Sequence, residues 1–409
     1  MSPRRLVLGF ALALGVVSWF LPRPAEAIPA FARRYRISCT TCHAPFPRLK
    51  PYGDEFAGNG MVIPEEETER HYVTGGDDLL WLNKDFPVAV RMDLYGVWEQ
   101  KNDVETDFQV PWGLKLLSGG AVAKNIGYYF YFYMSERGEV AGIEDAYLQF
   151  NDVLVPGLAA MVGQFQTSDP LMKRELRLTY EDYQVYRARV GASATDLTYD
   201  RGVMLTYGIA ATGTDLVAMA VNGNGKPEAE ENHKFDQDSH KSYGLRVVQG
   251  VGDALSIGGF VYYGQEDLRN EDALLTNDVV YYGPDVALNV GPAALTVQYL
   301  RREDTAPGYP TRGDESVITD GVVAELVLAP QGDLGRHFIT LLYNWVDSDV
   351  EDKLEFGDVD PVPDYAGDYQ TATASVTYLL RRNVRAVVEF TYDFEREINR
   401  AALGFVSAF

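Results

Sequence analysis

The chain has 409 residues, with 36 Lys and Arg against 59 Asp and Glu, so its formal net charge of −23 excludes nonspecific nucleic-acid binding and favours cations as neighbours. It carries 26 Tyr, 19 Phe, 5 Trp and 38 Gly, a mixture suited to many strands separated by turns. Cysteine appears twice.

Residues 1–27 read as a secretory signal peptide. Arg4 and Arg5 precede an apolar run from Leu6 to Leu21, and Ala25-Glu26-Ala27 supplies a small-x-small cleavage site. The run is shorter than the ~20 residues of a membrane span, so the mature chain is expected to begin near Ile28.

Residues 28–86 form a small second unit that contains both cysteines, in Cys39-Thr40-Thr41-Cys42-His43. Two thiols three positions apart each add to one vinyl group of the same porphyrin, and the adjacent imidazole then reaches the iron. The competing readings are a disulfide or dithiol, half of a zinc site, or a chance spacing. Zinc would need further ligands, and His71, His233, His240 and His337 are scattered without ligand spacing. A redox dithiol would follow a strand and open a helix, unlike these Arg-rich and Pro-rich flanks. The motif therefore predicts one covalent haem c, held by Cys39 and Cys42 with His43 on the iron. So small a region lacks an independent core and is expected to lean on another surface.

From residue 87 to Phe409 the chain lays out about sixteen segments with period-two alternation, which predicts an all-β fold: an antiparallel transmembrane β-barrel. In the clearest segment Ala386, Val388, Phe390, Tyr392 and Phe394 share one face, and Arg385, Glu389, Thr391, Asp393 and Glu395 the other. A second face so charged predicts a wet lumen. Similar alternation sets Val90, Met92, Leu94 and Trp98 against Arg91, Asp93, Tyr95 and Glu99.

Connections alternate between short and long, as periplasmic turns and outer loops do. The short set falls at 124–125, 155–157, 212–213, 250–253, 291–292, 331–335 and 381–383. The long set falls near 99–107, 169–196, 223–241, 266–277, 303–315 and 347–368, with shorter members at 135–142 and 396–399. An even strand number follows, with both ends on the inner side. Phe409 closes a final strand whose other face, Ala402, Gly404, Val406 and Ala408, leaves room for something bulky inside.

The longest connection is basic in an acidic chain, through Lys173, Arg174, Arg177, Arg187 and Arg189. It is expected to fold inward as a constriction that attracts anions or pairs with haem propionates. Segment 347–368 is strongly acidic and reads as a solvated outer face that steers cations.

Ile28-Pro29-Ala30-Phe31-Ala32-Arg33, the Cys39 motif, Phe46-Pro47-Arg48-Leu49 and Tyr52-Gly53-Asp54-Glu55-Phe56 together resemble the start of the fused monohaem cytochrome-porins. Gly163-Gln164-Phe165 and Tyr199-Asp200-Arg201-Gly202-Val203 look like strands of phosphate-selective-type porins. The chain departs from the iron-oxidising members at Asp54-Glu55 and Met61, where they tend to carry a basic residue and an aromatic. The resemblance implies a bacterial outer-membrane protein with its haem segment in the lumen or at the periplasmic mouth. It also implies a ferrous oxidase activity: electrons from extracellular Fe(II), or another reductant, would pass through the haem to a periplasmic cytochrome c-type carrier. The alternative function is an anion- or phosphate-selective porin with a haem-bearing plug. For the distal iron ligand Met61 is one candidate and His71 its rival, and Met61 packed as an apolar neighbour of the ring is the third possibility.

Overall fold

The computed structural model describes residues 30–68, 71–101, 104–229, 233–236, 238–270, 273–308, 316–350 and 367–409. The expected signal peptide and the centre of the acidic segment 347–368 lie outside these described residues.

Three short helices come first, α1 (Ala30–Tyr35), α2 (Cys39–Cys42) and α3 (Pro51–Gly58), then a small hairpin of β1 (Tyr72–Val73) and β2 (Leu82–Asn83). The strands that follow are β3 (Val88–Glu99), β4 (Thr106–Ala123), β5 (Ile126–Glu136), β6 (Gly142–Phe150), β7 (Leu158–Gln166), β8 (Tyr199–Ile209), β9 (Thr214–Val221) and β10 (Ser242–Val251). They continue as β11 (Leu255–Asn270), β12 (Ala273–Val290), β13 (Ala293–Asp304), β14 (Val317–Leu328), β15 (His337–Ser348), β16 (Tyr369–Arg381), β17 (Val384–Asp393) and β18 (Ile398–Ala408). Among the described residues these sixteen strands, β3 to β18, close into one antiparallel barrel. No described helix is long and apolar enough to cross a membrane. A closed barrel crosses instead with strands, because every backbone N–H and C=O finds a partner in the ladder and no edge remains.

Closure pairs β18 with β3, from Ala408 opposite Arg91 to Arg400 opposite Glu99. The terminal Phe409 extends the seam by exchanging both backbone bonds with Val90, at 2.7 and 2.9 Å. The seven short turns and eight longer connections fall where the alternation placed them, with one difference. The segment 266–277 is largely strand, since β11 and β12 stay paired up to Asn270 opposite Ala273. Beyond the bilayer both faces of a hairpin meet water, so the period-two signal fades while the ladder continues.

Side chains alternate inside out. On β17, Val388 is 57% exposed and faces outward, whereas Arg385 is 1% exposed and faces the lumen. Burial of that charged face means the lumen is filled with protein rather than open water. The filler is the connection 167–198 between β7 and β8, called the lumen loop below, whose Leu178, Tyr186, Val190 and Leu197 are fully buried. The inward fold expected of this connection is what the chain adopts.

Wall side chains satisfy the loop's backbone, which has no ladder of its own. Arg302 on β13 donates to the carbonyl oxygens of Ala188 and Thr195, and Asn344 on β15 to that of Asp182, at 2.7–3.0 Å. Glu389 on β17 accepts from the backbone N–H groups of Tyr180 and Glu181 at 2.7 and 2.9 Å. The bulk expected against the small face of β18 is Tyr95 and Trp112, packed on Ala402 and Val406 with Phe46.

Candidate functional site

The N-terminal segment enters the barrel from the side of the short turns. Asn151 Nδ2 donates to the Asn59 carbonyl at 2.9 Å, Asn83 Nδ2 to that of Ala121 at 2.9 Å, and Gln149 to that of Gly58. Lys50 Nζ reaches Asp333, in the turn between β14 and β15, at 3.5 Å. The closest approach is backbone to backbone: a methyl group at Gly127 on β5 would stand 2.3 Å from the Gly60 carbonyl oxygen. Glycine there lets the segment lie against the wall.

Local capping sets the motif. Ser38 accepts from the Thr40 N–H at 3.3 Å, and the His43 N–H donates to the Cys39 carbonyl at 2.9 Å, so Cys39 and Cys42 sit one helical turn apart on one side. Gly53 lets α3 pack on this turn, since a methyl group there would lie 2.4 Å from the Cys42 carbonyl oxygen. Both cysteines are free. Burial raises both thiol pKa values, with Arg382 opposing at Cys39 and Lys50 at Cys42, and keeps them protonated.

His43 shares a 2.9 Å hydrogen bond between Nδ1 and the Pro47 carbonyl oxygen. With Nδ1 as donor, Nε2 is left with a free lone pair. His43 is half-buried and lines an internal cavity. Burial lowers its pKa to about 4, against the pull of the hydrogen bonds with Pro47 and Arg48, so the imidazole is neutral at neutral pH.

That cavity, of ≈ 320 Å³, lies between the segment, the wall and the lumen loop. Cys39, Cys42, His43 and Met61 all line it, beside Phe31, Ile37, Leu49 and Phe56. The wall contributes Leu117, Tyr129, Tyr147, Met161, Met204 and Val217, and the lumen loop Asp169, Pro170, Lys173, Glu175 and Leu176. His71 is not among the lining residues. It packs edge-on to Tyr35 at 6.0 Å, and its Nδ1 stands 3.7 Å from Glu67, which also binds Arg34 at 2.6 Å and Tyr35 at 2.6 Å. The two candidates for a distal ligand are thus separated: Met61 is at the cavity and His71 is in a polar knot beside it.

Sequence reasoning missed Glu175. It binds Lys115 at 2.7 Å and accepts from the hydroxyls of Tyr131 and Tyr133 at 3.1 and 2.9 Å, tying the loop to β4 and β5 at the cavity's edge. An acid within a basic loop was the available signal. The arginines expected to attract anions are occupied: Arg174, Arg177 and Arg187 converge on Asp182 at 2.8, 3.5 and 3.7 Å, and Arg189 pairs with Asp196 at 2.9 Å. Burial alone would raise the Asp182 pKa, but the guanidiniums hold it down at about 2. Among the described residues no group of three or more His, Cys, Asp or Glu side chains is gathered to hold a metal ion.

No protein-family model and no curated protein matches the chain. Solved structures do. An anion-selective porin from Comamonas acidovorans superposes with a TM-score of 0.55 at 11% identity, covering 80% of this chain and 99% of that one. OmpT of Vibrio cholerae in its trimer form gives 0.54 at 12% identity, with 80% and 99% covered. Salmonella typhi OmpF in complex with daunomycin gives 0.53 at 11% identity, with 81% and 99% covered. At such identities the likeness is one of fold: the chain has a closed sixteen-strand barrel of the porin type.

Proposed function

We propose that the chain carries one covalent haem c in this cavity and serves as an electron entry point of the outer membrane. It would take electrons from an extracellular reductant, foremost Fe(II), and pass them to a periplasmic carrier of the cytochrome c type. The observation that carries this reading is the convergence of both thiols, the His43 ring and Met61 on one largely apolar cavity inside the lumen.

The donor set fits the group. Cys39 and Cys42 present protonated thiols on one helical turn, the geometry that thioether formation needs. Through Pro47, His43 is oriented with Nε2 free for the iron. Met61 packs with Phe31, Ile37, Leu49 and Phe56, a cluster that excludes water around the site. When bound, haem supplies a one-electron couple whose potential rises with Met/His ligation and an apolar surround. Beside the cavity the lumen loop packs Leu178, Tyr186, Val190 and Leu197 into the barrel, which favours electron passage over a wide ion path.

A second reading, passage of small anions, draws support from the likeness to porins, one of them titled anion-selective. Pairing of the loop arginines with Asp182 and Asp196 weighs against it. Purified, membrane-inserted protein distinguishes the two. Anaerobic Fe(II) should reduce the haem, read from its absorption bands, while planar bilayers show little anion conductance. A haem that stays oxidised beside free phosphate conductance would sink the electron-transfer reading.

A further inference from the structure

The lumen wall carries a polar node beside the cavity that neither the loop contacts nor the cysteine motif explains. In register, Val406 of β18 stands between Asp93 of β3 and Arg385 of β17. Neighbouring strands lie ~4.8 Å apart, so the two residues share one level of the lumen on either side of Val406. Arg91, one inward position nearer the inner mouth on β3, belongs to the same group. Arg91, Asp93 and Arg385 are each more than nine-tenths buried.

Their hydrogen bonds do not balance. Arg91 gives Nε to Asp93 at 2.9 Å and Nη1 to the Glu175 carbonyl at 2.9 Å. Arg385 gives Nη1 to the Leu178 carbonyl at 2.7 Å, while its Nε and Nη2 have no protein partner, and neither has Asp93 Oδ2. Glu389, the next inward acid on β17, is occupied by two backbone N–H groups of the lumen loop.

The two unmatched donors of Arg385 are the pair that forms one edge of the guanidinium fork, the edge that grips a carboxylate or phosphate with two parallel bonds. The same chain shows the edge in use. Arg34 presents Nε and Nη2 to Glu67, Arg301 to Asp320, and Arg302 to Asp304, at 2.6–2.9 Å. Arg385 offers that edge in a buried place, where an unsatisfied donor is costly. The place adjoins the cavity: Arg91 and its register partner Ala408 line it, and so does Asn383, two residues before Arg385.

We infer that Arg385, backed by Arg91, forms an oxyanion site at the edge of the lumen cavity, taking a carboxylate or another small oxyanion on its Nε–Nη2 edge. Two sources share that chemistry, a propionate of a porphyrin in the cavity and a free oxyanion in the lumen. The first rests on the proposed haem; the site itself does not.

The test uses the full chain with Cys39→Ser and Cys42→Ser, so that porphyrin binds reversibly. Affinities for haem and for its dimethyl ester are measured by absorbance, and for inorganic phosphate by calorimetry. Arg385→Gln and Arg385→Lys follow, the lysine keeping the charge but lacking the fork, with far-ultraviolet dichroism confirming the barrel in each. Haem should bind roughly ten- to hundredfold more tightly than its ester, and both variants should erase the difference. Phosphate binding lost in both variants, without ester discrimination, supports the site with a free oxyanion as its ligand. If neither porphyrin form binds, the haem reading fails while the phosphate arm still decides the site. No ester discrimination and no phosphate binding would mean that water alone meets Arg385, which overturns the proposal.

Discussion

On β17, Val388 and Phe390 face outward while Arg385 and Glu389 are buried. In the N-terminal segment the order is reversed: Tyr35, Cys42 and Phe56 pack at the centre, with Arg33 and Arg36 outside. The wall gains its stability from a closed ladder and a lipid-facing skin, and turns its polar groups onto the lumen loop. The segment has only a small apolar cluster and leans on the wall through a few polar contacts, Phe46 against the Tyr95 and Trp112 cluster, and one glycine-to-glycine approach. One region is built to stand; the other is built to be seated. The wall should therefore respond to lost lumen-loop partners, and the segment to lost seating.

The largest effect is expected at Glu175. Glu175→Ala leaves the Lys115 ammonium buried beside Tyr131 and Tyr133 without its counter-charge, a loss of about 3–5 kcal/mol. The denaturant midpoint of the barrel, followed by dichroism, should fall. An unchanged midpoint with release of the N-terminal segment would break the comparison.

Gly127→Leu attacks the seating. Overpacking against the Gly60 carbonyl costs about 1–3 kcal/mol and endangers the neighbouring bonds from Gln149 and Asn151. Proteolysis should release the segment and bilayer conductance should rise, while the barrel keeps its midpoint. A barrel that falls apart with the segment would show that the two are one cooperative unit.

What the sequence made legible follows from range. Alternation on β17 and turn parity are local, and they placed the strands, the two ends of the barrel and the inward side of Arg385 and Glu389. The inward fold of the lumen loop was signalled by its length and charge. Its partners were not, because Asn344 and Arg302 meet it from more than a hundred residues away. For the same reason Gly60 and Gly127 gave no hint of each other. The outer end of the β11–β12 hairpin, 266–277, reads as a connection in the sequence because its polar residues follow no period-two alternation. At the candidate site, Cys39, Cys42 and His43 were visible as a motif, whereas the separate settings of Met61 at the cavity and His71 beside Glu67 were not, because they depend on contacts between distant residues.

Acid should loosen the lumen loop in a defined window. Because the folded Asp182 pKa is lowered to about 2 from 3.8, its contribution is complete above the unfolded value and disappears as pH falls through the folded one. The shift corresponds to about 2 kcal/mol. Glu175 acts in the same direction, its pKa held low by Lys115, Arg174 and Arg177 against the effect of burial. Hydrogen exchange of the loop amides should quicken between about pH 4 and pH 2. Asp182→Asn should flatten that dependence; a variant as acid-sensitive as the parent would remove Asp182 from the account.

The smallest effect is expected at the rim. Lys50 meets Asp333 at 3.5 Å, with Asp333 more than half exposed. Such a pair yields about 0–1 kcal/mol and is screened by salt within a Debye length of ~8 Å at physiological ionic strength. Lys50 also donates to the Thr40 carbonyl at 3.0 Å, a bond that holds the motif's own turn and does not tie it to the wall. Asp333→Asn therefore isolates the tether: it should hasten proteolytic release of the segment slightly at low salt and have no effect at high salt. A large release at low salt that high salt abolishes would mean that charge at the rim, rather than the Gly60–Gly127 contact, seats the segment.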